Sequence, residues 1–147
     1  MLYHYCDIDT AGEILRDGVI KANPIVLHRD MLGLDSGFTT TPIIWLSTND
    51  VMEPTVVMKL AAAGIKTSIC RFTLPPDYPA ESLPEYADRM RISPEWWLWM
   101  ITSGSMVGSG YETWRICGHS IPAKDWLKCE VRTQQGWQNY NPETKGK

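Results

Sequence analysis

A histidine sits inside an apolar run at the start of this chain, in Leu2-Tyr3-His4-Tyr5-Cys6. On an extended strand, Leu2, His4 and Cys6 share one face and Tyr3 and Tyr5 the other. An imidazole so placed lies inside the fold or at a cleft. It is either a core histidine satisfied by its neighbours or a ligand-binding group at a pocket floor. A second candidate is Glu112, in Tyr111-Glu112-Thr113-Trp114-Arg115-Ile116-Cys117. Read as a strand, that run sets Glu112 beside Trp114 and Ile116, just after a small-residue loop. A carboxylate in such company is an edge residue or a working acid. The run Ile43-Ile44-Trp45-Leu46-Ser47-Thr48 brings hydroxyls to the carboxyl end of an apolar strand. Such ends hold ligands, and they also cap their own turns. Arg71 could bind a phosphate or lie on the surface. Glu130, in the strand-like Cys129-Glu130-Val131, competes with Glu112 for the acidic role.

The elements that must position these groups follow from pattern. Thr10-x-x-Glu13 has the form of a capping box, and Gly18 that of a helix stop, around an apolar face of Ala11, Ile14 and Leu15. Residues 21–42 carry Asn23-Pro24, Gly33, Ser36-Gly37 and Thr41-Pro42, and are expected to form a loose excursion. His28 and Asp30 fall there, as a surface pair or half a metal site. A short helix is expected over 56–63, with Pro54 near its start and Gly64 at its end. Ser68–Leu74 reads as a strand with Cys70, Phe72 and Leu74 inward. Residues 75–92 read as a loop or a short helical turn on the surface. Ser93-Pro94-Glu95 opens a Trp-rich helix, with core packing expected for most of it and one tryptophan free to line a cleft. Residues 102–110 read as a flexible loop, Ser120-Ile121-Pro122 as a turn and 126–132 as the last strand. A hairpin turn near Gln134–Trp137 and a flexible tail complete the chain.

The bulk numbers set limits. A chain of 147 residues fits one domain with a sizeable core. Its charge of −3 argues against bulk electrostatic attraction to nucleic acid. Seven tryptophans against two phenylalanines are enough to pack a core and still stack on a flat ring. The four cysteines, at 6, 70, 117 and 129, form no CxxC pair, so a zinc ribbon is not expected. No basic-then-apolar leader and no run of spanning length is found, and a cytoplasmic protein with reduced thiols is expected.

Taken together, a Tyr-His-Tyr strand, a capped helix ending in Asp-Gly-Val-Ile and a strand ending in Trp-Leu-Ser-Thr come first. An Arg-Phe strand, a Trp-rich helix, a late Tyr-Glu-x-Trp segment and an Ile-Pro turn follow. This order resembles the ADP-ribosyltransferase superfamily, in its small members with a histidine in the first motif. The resemblance covers most of residues 2–132. It implies an α+β fold: a single domain over 1–133 with a split, twisted β-sheet core and flanking helices, followed by a short hairpin end and tail at 134–147. It also implies an NAD-dependent glycosyltransferase, with NAD as substrate and a macromolecular acceptor. Position by position it carries over His4, with Tyr5 flanking it, to the ribose. Trp45, Ser47 and Thr48 go near the nicotinamide, Arg71 to a phosphate, and Glu112 to the acid that orients the nucleophile. In that chemistry a carboxylate stabilises the charge that builds on the ribose. A neutral imidazole donates to a ribose oxygen without adding charge. Gly110 stands two before Glu112 where a second acid or amide would support arginine-directed transfer. Three other classes remain: a 2′-phosphotransferase, a binding or inhibitor protein without chemistry, and a metal-dependent hydrolase using His4, His28 and His119.

Overall fold

In the computed structural model, residues 1–24, 26–28 and 37–142 are described. The first strand, β1 (Leu2–Asp7), runs straight into α1 (Ile8–Asp17). The cap is one turn earlier than the sequence pattern suggests. Asp7, not Thr10, accepts from the Thr10 amide at 3.2 Å, and the Thr10 hydroxyl donates to Asp7 at 2.6 Å. A carboxylate accepts two such bonds where a hydroxyl accepts fewer, and it favours the positive end of the helix. Gly18 ends the helix at φ 72°, a left-handed conformation, with its amide on the Ile14 carbonyl. Ala11 and Ile14 are buried as their spacing predicts.

Then follow β2 (Val19–Ile20), β3 (Val26–His28), β4 (Gly37–Thr39), β5 (Ile44–Ser47) and α2 (Pro54–Ala62). The excursion expected at 21–42 is therefore partly ordered: β3 and β4 pair as a hairpin, and Asn23 bridges Ile43. Next come β6 (Ile69–Leu74), β7 (Glu81–Ser82), α3 (Leu83–Arg89) and α4 (Pro94–Met106). β8 (Trp114–Cys117), β9 (Ile121–Pro122), β10 (Lys128–Thr133) and β11 (Gly136–Asn139) complete the order. The result is a small mixed α+β domain around a seven-stranded antiparallel sheet, ordered β11-β10-β6-β1-β5-β8-β7. The Ile121-Pro122 segment, expected as a turn, pairs with β2 instead.

Both faces of the sheet are covered. On one, α1 packs over Leu2, Cys6, Ile44, Leu46, Phe72 and Leu74. On the other, α3 and α4 pack Leu83, Tyr86, Trp96 and Met100 against Trp114 and Ile116. A side chain of this size contributes roughly 1.5–3 kcal/mol when fully buried. The second layer explains two departures from the sequence expectations. Residues 83–89 are a helix because Ser82 and Glu85 form a true capping box around Leu83, Tyr86 and Ala87. Residues 102–106 continue α4, because Gly104 lets the helix pass the Trp114 ring. A Cβ there would lie 2.3 Å from the ring's Cζ2. Away from those helices, β6 is buried on both faces, Arg71 and Thr73 included, with Tyr3 and Trp137 covering Arg71.

Candidate functional site

β1 and β6 pair over six residues, from Leu2↔Leu74 to Asp7↔Ile69. β1 and β5 share a single registered pair, Tyr3↔Ser47. The sheet's backbone pairing is thus interrupted beside His4. There the imidazole bridges the gap: its Nδ1 lies 3.1 Å from the Trp45 carbonyl oxygen. A carbonyl only accepts, so Nδ1 carries the proton. Burial pushes the His4 pKa below its usual value, the carbonyl bond opposes that shift, and Lys59 adds to it. His4 is therefore a neutral imidazole whose free Nε2 is an acceptor. In this tautomer the nitrogen left over is an acceptor, the reverse of the donor role implied by the resemblance.

A cleft of about 1030 Å³ opens at this gap. His4, Tyr5, Trp45 and Ser47, all expected site residues, lie on its wall, together with Trp99 and Trp114. Trp45 meets Trp114 edge to face at 6.1 Å. Trp99 is the cleft-wall tryptophan that the Trp-rich helix allowed for.

The buried carboxylate on this wall is Glu53, which sequence reasoning missed. It is the residue before α2, held extended ahead of Pro54. Only 4% of it is exposed. Ser47 donates to its Oε2 at 2.8 Å, and Thr55 to its Oε1 at 3.0 Å. Ser109 also donates to Oε1, and itself accepts from the Trp114 indole at 2.8 Å. Glu53 thus ties the end of β5, the first turn of α2 and the segment after α4 into one wall. The Glu-Pro dipeptide ahead of an apolar run marks a helix start. Nothing local marks a hub, because Ser109 is 56 residues away.

The other expected residues lie elsewhere. Glu112 is exposed, on a 3-10 turn over Tyr111–Thr113 and not on a strand. It folds back over Gly110 and is outside the cleft lining. His4 and Glu112, which the resemblance assigns to one site, therefore do not share this cleft lining. Thr48 is exposed, its amide bonded to the Thr113 carbonyl at 2.8 Å. Arg71 and Glu130 form a buried pair at 3.0 Å, on neighbouring strands. The Arg71 guanidinium is stacked between the rings of Tyr3 and Trp137, at 4.5 and 4.2 Å, and also donates to the Asp50 carbonyl. Around it, Tyr5 donates to the Asn49 carbonyl, while Trp137 and Arg132 each donate to the Val51 carbonyl at 3.1 Å. The whole cluster pins residues 49–51, the segment that delivers Glu53. Arg71 is a strut of the cleft wall, and two arms of its guanidinium are already engaged. Burial raises the Tyr5 pKa to about 12, against the opposing pull of Arg71.

The histidine–carboxylate pair suggested at 28 and 30 lies outside the described residues, wholly for Asp30 and in its side chain for His28. His119 is exposed beside Tyr78, away from the cleft. Among the described residues no group of three or more metal-ligating side chains gathers, and no helix is long and apolar enough to cross a membrane. Three cysteines are buried and Cys129 partly so, and burial raises the pKa of every thiol whose shift is resolved.

The neutral state of His4 makes stability depend on pH. The unfolded chain takes up a proton near pH 6.5, above the lowered pKa of the folded state. The His4 contribution is thus complete above about pH 6.5 and is lost as pH falls toward the folded-state value, at up to about 1.4 kcal/mol per pH unit. Urea midpoints between pH 7.5 and 5 are expected to fall more steeply in the wild type than in His4→Gln. Equal slopes would contradict a neutral His4 in the folded state.

No family model, curated protein or solved structure matches this chain.

Proposed function

We propose that the chain is an NAD-dependent ADP-ribosyltransferase acting on a macromolecular acceptor, built on a split-sheet variant of that superfamily's fold. The observation that carries this reading is the interrupted pairing of β1 and β5. It sets an uncharged imidazole, aromatic walls and one buried carboxylate around a single cleft. The cleft has the volume of a cofactor site and apolar walls suited to flat rings. Lys59, on the same lining, forms no ion pair among the described residues and is available to a pyrophosphate. The His4 Nε2 is available to a ribose hydroxyl.

In the reaction, the bond from the ribose anomeric carbon to nicotinamide breaks and neutral nicotinamide leaves with the bonding pair. The acceptor's nucleophilic atom bonds to that carbon and gives up its proton. A nearby carboxylate stabilises the positive charge that develops on the ribose. We assign that carboxylate to Glu53 because of its place on the cleft wall. The aromatic walls limit competition from water.

A second reading has a specific observation in its favour. All three hydroxyls around Glu53 donate to it, and Glu112 stands outside the cleft. A protein that binds a ligand on this fold without turning it over would look the same. Labelled NAD separates the two. The transferase reading expects nicotinamide release and label on a polymer from a cell lysate, both reduced at least tenfold in His4→Ala. A thermal shift with NAD but no nicotinamide release would leave the binding protein. No shift at millimolar NAD would remove the NAD reading.

A further inference from the structure

Helix α2 has the composition of a core helix and the exposure of a surface one. Its sequence, Pro-Thr-Val-Val-Met-Lys-Leu-Ala-Ala, has one charged residue, yet none of its nine residues is buried. Val57 is 40% exposed and Met58 51%, and Ile65 just beyond the helix is 37% exposed. Met58 and Ile65 line the cleft, so this uncovered apolar surface forms its rim. An amphipathic helix normally buries its apolar side. An apolar face left in water beside a cleft marks an interaction surface.

The other side of the cleft differs in charge. Asp7, Glu13 and Asp17 of β1 and α1 lie on its lining. Asp7 is engaged as the helix cap, and Asp17 pairs with Lys21 at 3.6 Å and Arg16 at 3.4 Å. Glu13 is exposed and has no partner among the described residues. Glu13 and Asp17 are four apart on one helix, as are Asp9 and Glu13, and like charges at that spacing oppose helix formation. The arrangement serves a partner better than it serves the helix.

We propose that this rim docks a protein segment presenting apolar side chains to α2 and a lysine or arginine to Glu13, and that this segment belongs to the acceptor. The identification as acceptor rests on the transferase reading; the docking surface does not. Charge complementarity selects the partner. A nucleic acid brings phosphates toward a lining on which four acids, Asp7, Glu13, Asp17 and Glu53, outnumber two lysines, Lys21 and Lys59, and offers no aliphatic face to α2. A second copy of this chain, with its charge of −3, would bring the same acidic stripe against itself in a symmetric pair.

The test uses the full chain without NAD and three labelled probes. One is a helical peptide with leucine on one face and lysine on the other. The second is the same peptide with glutamate for lysine. The third is a single-stranded RNA of similar length. The lysine peptide is expected to bind at least tenfold tighter than either of the others, and more weakly as salt rises. Met58→Asp and Glu13→Lys should each weaken it at least tenfold. Both side chains are exposed, so both variants should keep the wild-type melting temperature within a few degrees, and each checks the other. Absence of lysine-peptide binding, preference for the RNA, or dimerisation of the wild type abolished by Met58→Asp would each overturn the proposal. Peptide binding by a chain that releases no nicotinamide would support the surface and remove only the transferase reading. Nicotinamide release by a chain that ignores the peptide would overturn the docking alone.

Discussion

Glu130→Leu is expected to cost about 3–5 kcal/mol, measured as the loss of unfolding free energy in urea. The loss follows from what it leaves behind. Arg71 is 7% exposed, so its guanidinium charge lies out of water. Without Glu130 its Nε loses an ionic partner at 3.0 Å, and the charge keeps only the Asp50 carbonyl and the faces of Tyr3 and Trp137. Stacking of a desolvated guanidinium is worth about 2 kcal/mol, less than the charge needs. Because a domain of this size has roughly 5–15 kcal/mol in hand, the variant should be marginal. Removing both charges together, as Arg71→Met with Glu130→Leu, should recover most of the loss, since two apolar side chains replace a desolvated pair. A single variant that loses under about 1 kcal/mol would mean the pair is hydrated. The same substitution should also loosen residues 49–51, and NAD affinity is expected to fall with stability.

On the transferase reading proposed above, Glu53→Gln is expected to reduce nicotinamide release by about a hundredfold or more, the effect of removing one preorganised electrostatic partner of the transition state. NAD affinity by thermal shift should change only a few-fold, because the charge matters most once the ribose becomes cationic. The amide retains one carbonyl oxygen and presents a donor where a carboxylate oxygen accepted. Some of the hydroxyls of Ser47, Thr55 and Ser109 must then turn, at a cost of about 1–3 kcal/mol. Glu112→Gln is the paired measurement. Exposed and outside the cleft, it should leave fold and nicotinamide release near wild type. If Glu112→Gln abolishes release and Glu53→Gln spares it, the acid role passes to Glu112.

Local pattern determined the frame of the molecule. The alternation in Leu2–Cys6, the Gly18 stop, the apolar strand ending at Ser47 and the Pro54 and Pro94 helix starts all stand as their residues suggest. These are short-range effects of period, glycine and proline. For His4 the residues left two readings, a core histidine or a group at a pocket, and Trp45 came in only through the resemblance; the folded chain sets both on the cleft lining. Tertiary structure decided the rest. Residues 83–89 and 102–106 are helical because a second layer on the sheet needs Leu83, Tyr86 and a helix able to pass Trp114 at Gly104. The Tyr3–Trp137 clamp buries Arg71, which a strand pattern left at the surface. The acid on the cleft wall could not be chosen from sequence. Hydrogen bonds from hydroxyls at 47 and 109 select Glu53, and only the folded chain brings those positions within 3 Å of one carboxylate.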